Sequence, residues 1–94
     1  MHLFKIVTAR DDITIGFTDG DIQALDNGRR LPPLDTVVER VAGAGAMTCW
    51  QYAPGRGPDD AMALVAVRRV GLFAHQIVRI EPAKAEMKVY PPPA

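Results

Sequence analysis

Residues 13–28 read ITIGFTDGDIQALDNG, and the change of period inside that stretch decides the fold. Ile13, Ile15 and Phe17 alternate with Thr14, Gly16 and Thr18, the two-residue period of a half-buried strand. A glycine in mid-strand, Gly16, marks a bulge or a close approach by another group. After Phe17 the alternation stops. Thr18 or Asp19 can cap a helix, acids fill the first turn, and Gly28 can stop it. The stretch thus predicts a strand followed by a short helix over about 19–27, with Ile22 and Leu25 turned inward.

Upstream, HLFKIVTA (2–9) has Phe4 and Ile6 on one face and Lys5 and Val7 on the other. With the turn RDD it predicts a hairpin with the strand at 13–18. Downstream, RRLPP is a link and Pro33 suits a first helical turn. Leu34, Val37, Val38 and Val41 then recur at helical spacing, an inward stripe, while Asp35, Glu39 and Arg40 face away. The glycines of GAGA end that helix.

From residue 47 the pattern is β again. MTCWQYA (47–53) reads as a strand, PGRGPDD (54–60) as a turn, and the apolar run AMALVAVRRV (61–70) as a central strand. GLFAHQIVRIEP (71–82) fits a strand through Val78 and Ile80, and a helix face through Leu72, Phe73, Gln76, Ile77 and Ile80; the β-branched content favours the strand. AEMKVY (85–90) alternates as an edge strand, and PPPA (91–94) is an extended Pro-rich tail. The sum is one α+β domain over 1–94, in the order ββααββββ: an antiparallel sheet with two helices on one face.

A chain of 94 residues buries a modest core, and its formal net charge of zero gives copies little mutual repulsion. That balance argues against a nucleic-acid binder, which would be basic. No signal peptide is expected from MHLFKIVTAR, and no run reaches a membrane span. The arginine and alanine bias suggests a GC-rich bacterial genome, and the expected location is the cytoplasm. One cysteine excludes an intrachain disulfide.

The chemistry-bearing residues are few. Cys49 has no local activating signature and is expected to be an inert, buried thiol. Trp50 and Tyr52 share the opposite strand face, suited to packing, a subunit contact or a stacked ligand. PGRGPDD lacks the GK[ST] continuation of a phosphate loop. Asp19, Asp21 and Asp26 miss the calcium-loop spacing and suit helix capping. His2 and His75 are too few for a metal site, and Arg68 and Arg69 point to opposite faces of a strand.

No set of acid, base and nucleophile converges. The expectation is therefore a non-enzymatic interaction or accessory protein without cofactor or metal. It would associate with itself or another protein, as a homo-oligomer or as a small subunit of a bacterial assembly. The alternative is a small-molecule-binding domain or small enzyme, its pocket lined by Trp50, Tyr52, Arg68 and His75.

Overall fold

The computed structural model of the chain describes residues 1–93. Five strands, β1 (His2–Thr8), β2 (Asp12–Phe17), β3 (Ala46–Arg56), β4 (Met62–Phe73) and β5 (Ile77–Ala83), form one antiparallel sheet in the order β4-β3-β2-β1-β5. Helices α1 (Asp19–Asp26) and α2 (Pro33–Ala44) lie between β2 and β3 in sequence and pack on one face. No helix among the described residues is long and apolar enough to cross a membrane.

The first hairpin follows its alternation. Phe4, Ile6, Ile15 and Phe17 turn to the helices and are buried with Ile22, Val37, Val41, Cys49 and Leu72. Helix α1 starts where the period changes. The Thr18 hydroxyl accepts from the Asp21 amide at 3.0 Å, and the Asp21 carboxylate accepts from the Thr18 amide at 3.0 Å. This reciprocal cap satisfies two amides that the first turn leaves without partners. Asn27 and Gly28 adopt left-handed backbone and end the helix.

Asp26 then organises the link to α2. Its carboxylate accepts from the amides of Arg30 (2.6 Å) and Leu31 (2.9 Å). The buried Thr36 hydroxyl donates to the Pro32 carbonyl at 3.1 Å. Pro33 occupies the first turn of α2, and Gly45 closes that helix at φ 78°, where a β-carbon would be strained.

Several expectations need correction. The apolar run 61–70 reads as a central strand, yet its strand, β4, lies at the edge of the sheet. Helical spacing puts Val38 in the inward stripe, yet it is 41% exposed, while Val37 is fully buried. The sheet contacts α2 along Leu34, Val37 and Val41, which turns Val38 to the flank. The predicted turn at 54–60 starts too early: β3 continues through Pro54, Gly55 and Arg56, paired with Leu64, Ala63 and Met62. Finally, the predicted sixth strand at 85–90 reduces to one parallel bridge between Val89 and Leu64, so the order is ββααβββ. Segment 71–82 is split: β4 runs to Phe73, a single 3₁₀ turn covers Ala74–Gln76, and β5 follows. Ala94, the end of the predicted tail, lies outside the described residues.

Candidate interaction surfaces

Pairing fixes which way each candidate side chain faces. Trp50 is opposite Gly16 and Arg69, and Tyr52 is opposite Thr14 and Ala66. Both therefore lie on the face away from the helices, and Cys49 lies on the helix face. Cys49 is 3% exposed, and burial pushes its thiol up to about 11 although Arg69 opposes the shift. A thiol in that state is not a nucleophile at neutral pH.

Arg68 and His75 end up on the helix side, away from Trp50 and Tyr52. The four-residue pocket proposed from the sequence does not assemble. Arg68 and His75 instead line one open cleft of about 630 Å³, with Arg10 and Gln51 at its sides and Ile6, Ile13, Val70 and Leu72 among its apolar walls. The Arg68 Nε–H donates to the Gln51 side-chain carbonyl at 2.8 Å. The His75 ring lies 6.1 Å from that of Phe73. Strand alternation splits Arg68 from Arg69, and a bulge just before them sets which face each one takes. Gln51 pairs with Arg68 but Tyr52 pairs with Ala66, leaving Val67 without a partner.

On the helix-free face, Arg69 sits over the Trp50 ring at 5.4 Å, a cation–π contact. The Tyr52 ring covers Gly16, where a β-carbon would come within 2.6 Å of it. This is the close approach that a mid-strand glycine signals. The tail closes over the same region. Leu64 donates its N–H to the Lys88 carbonyl at 2.8 Å and accepts from the Tyr90 N–H at 3.1 Å. The Tyr52 hydroxyl donates to the Tyr90 carbonyl at 2.7 Å. The segment PGRGPDD is thus more than a connection: Gly57 leaves room for the Tyr90 ring, and Arg56 pairs with Asp60 at 3.3 Å. The Asp59 carboxyl is held low first by the Ala61 amide, with help from the Tyr90 hydroxyl.

The three acids that miss the calcium-loop spacing each have a local partner. Asp19 meets His2 at 2.6 Å, Asp21 caps α1 and Asp26 ties the α1–α2 link.

A third surface was not legible from the sequence. Strand β5 pairs only with β1, and its outer edge is open. Beside that edge, Val38, Val41 and Ala42 of α2 line an apolar groove with Ala74, Ile77, Val78 and Ile80. Val78 is 62% exposed, because a bulge in the β1–β5 ladder sets it outside the pairing. On the strand itself the Arg79 guanidinium pairs with the Glu81 carboxylate. Comparison of the chain with protein-family models, curated proteins and solved structures gives no match.

Proposed function

We propose that the protein is a non-enzymatic interaction protein that pairs with a second copy of itself through the open edge of β5. The carrying observation is the strip of exposed apolar side chains, Val38 and Val78, beside an unpaired strand edge. Exposed apolar surface next to open backbone donors and acceptors is the usual substrate of β-edge association.

Charge fixes the register. An antiparallel two-fold pairing centred on Ile80 sets Arg79 of each copy opposite Glu81 of the other and Val78 opposite Pro82. Opposite charges directly across a seam contribute roughly 0.2–1 kcal/mol per pair, and like charges cost as much. The same pairing brings the two α2 flanks side by side and covers Val38 and Ala42. Pro82 donates no bond, which limits the ladder to the neighbourhood of Ile80. The proposal extends to a bacterial cytoplasmic setting, on the arginine and alanine bias of the composition.

Sedimentation equilibrium tests it. The parent chain should show twice its sequence mass at tens of micromolar. Arg79→Glu and Glu81→Arg should each be monomeric, and an equimolar mixture of the two should recover the dimer, because each seam then pairs unlike charges again. A monomeric parent at high micromolar concentration, or single reversals that stay dimeric, would refute the pairing.

A second reading, a small-molecule site, rests on the cleft shared by Arg68, Arg10 and His75. It would take a carboxylate or phosphate on an apolar body, because cationic groups stand above apolar walls. Loss of binding of such compounds on Arg68→Ala, with the dimer intact, would distinguish it from the first.

A further inference from the structure

We propose that the groove on the helix-free face is a binding site for an extended peptide carrying a tyrosine followed by prolines. Residues 88–93 are its resident occupant, and a segment of another protein with that pattern can replace them. Four features frame the groove. Leu64 offers an N–H and a carbonyl on the outer edge of β4, and both are used by Lys88 and Tyr90. These are main-chain bonds, indifferent to which chain supplies the strand. Tyr52, 2% exposed, aims its hydroxyl at the Tyr90 carbonyl. That carbonyl precedes a proline, within a run whose residues supply no backbone donors to compete for it.

A ring seat is the third feature. A β-carbon at Gly57 would collide with the Tyr90 ring, so the glycine defines the cavity that the ring fills. Within the occupant itself, the Lys88 ammonium lies 4.9 Å from the ring centroid. Fourth, the tail's Pro92 and Pro93 end beside Trp50 and Arg69, where together they wall an open pocket of about 360 Å³ that reaches α1 at Ala24 and Leu25. Main-chain pairing, a buried hydroxyl for a carbonyl, a ring seat and an aromatic beside prolines are together a receptor for one class of peptide.

The occupant is lightly held. Its tether, Lys84–Met87, is exposed along its length, and the segment joins the sheet by a single bridge. Release breaks three hydrogen bonds and leaves the five-strand ladder whole. A tethered occupant competes at an effective concentration on the order of millimolar, so an outside peptide gains access when the tail's grip is weakened.

The probe is a synthetic peptide of residues 88–93, blocked at both ends, titrated into the full chain. Trp50 is the only tryptophan, so its fluorescence reports the groove. Tyr90→Ala should bind the peptide at least about tenfold more tightly than the parent. Adding Gly57→Ala, which fills the ring seat, should remove that gain, and a peptide with alanine in place of tyrosine should not bind. Absence of binding to Tyr90→Ala at millimolar peptide, or binding unaffected by Gly57→Ala, overturns the proposal. So does loss of the dimer on Tyr90→Ala, which would place the tail in a second copy. If Tyr90→Ala melts out, the parent serves instead: excess peptide should shift the backbone NMR signals of 88–93, and unchanged signals refute the exchange.

Discussion

Val37 and Val38 are adjacent in α2, yet aspartate should have opposite effects at the two positions. Val37 is fully buried in the cluster that holds Ile15, Phe17, Ile22, Val41 and Leu72. Val37→Asp loses the transfer free energy of a buried valine, about 1.5–3 kcal/mol. It also puts a carboxyl group where no partner waits, a further cost of several kcal/mol after relaxation. A domain of this size has roughly 5–15 kcal/mol to lose. A loss of about 4 kcal/mol alone lowers Tm by roughly 16–32 °C. Val37→Asp should therefore be largely unfolded at 25 °C, or melt at least that far below the parent. Val38 is 41% exposed, and an aspartate there stays in water. Its intrinsic cost should fall within about 0.5 kcal/mol. Because Val38 also lies in the proposed dimer seam, and dimer formation raises apparent stability, the comparison belongs in the monomeric Arg79→Glu background. Circular dichroism melts of both variants there give the answer. A Val38→Asp protein as unstable as Val37→Asp would mean that α2 is rotated from the orientation described.

Gly16→Ala should lower stability by about 1–3 kcal/mol, since its methyl forces the Tyr52 ring aside; an unchanged urea midpoint would contradict that contact. Asp26 has its carboxyl held below the ordinary 3.8, first by the Leu31 amide, and Asp59 is lowered likewise. Groups depressed in the folded state add stability that is present above the ordinary carboxylate value and lost as pH falls through the folded one. The urea midpoint should thus drop as pH falls through and below the ordinary carboxylate value, and Asp26→Asn should flatten that drop; equal slopes in parent and variant would argue against the link. Cys49 should resist alkylation in the native chain at neutral pH, because it is 3% exposed and burial pushes its thiol up to about 11. Cys49→Ala should cost roughly 1–2 kcal/mol, a small cavity; rapid labelling without unfolding would show the thiol to be accessible.

The elements that read well in the sequence are those whose local signals and burial agree. The first hairpin alternates cleanly because only one of its faces meets the helices. Helix α1 carries its cap in Thr18 and Asp21, and Gly16 signalled the Tyr52 contact by lacking a side chain. The errors arise where distant pairing overrides local pattern. Val38 shares the helical spacing of Val37 and Val41, and only the position of the sheet shows which edge of the stripe stays dry. The alternation of 85–90 is a strand pattern, but one bridge to Leu64 is all that the geometry at the β4 edge provides. Gly and Pro in 54–57 suggest a turn, yet Pro54, Gly55 and Arg56 extend a long hairpin, and Gly57 serves the Tyr90 ring. The scattering of Trp50, Tyr52, Arg68 and His75 has the same origin. Strand alternation already separated Arg68 from Arg69, but the bulge at Val67, which sets the final faces of β4, left no mark in the sequence.

The two edges of the sheet explain why self-pairing should use β5 and not β4. Both edges present open backbone, and open edges invite association. The β4 edge is blunted three times: by the bulge at Val67, by the tail at Leu64, and by adjacent arginines. A two-fold axis anywhere near Arg68 and Arg69 would set cations against cations, since each is already committed to its own neighbour, Gln51 or Trp50, and neither has a carboxylate beside it among the described residues. The β5 edge carries a proline and a bulge as well, but its charges are of opposite sign and two residues apart. Spacing of that kind is self-complementary under a two-fold at the intervening Ile80, so what repels a copy at one edge attracts it at the other. The apolar flank of α2 lies along the permissive edge. In the proposed dimer, charge thus decides which edge is used, and the exposed valines beside it would contribute the burial that a single short strand ladder lacks.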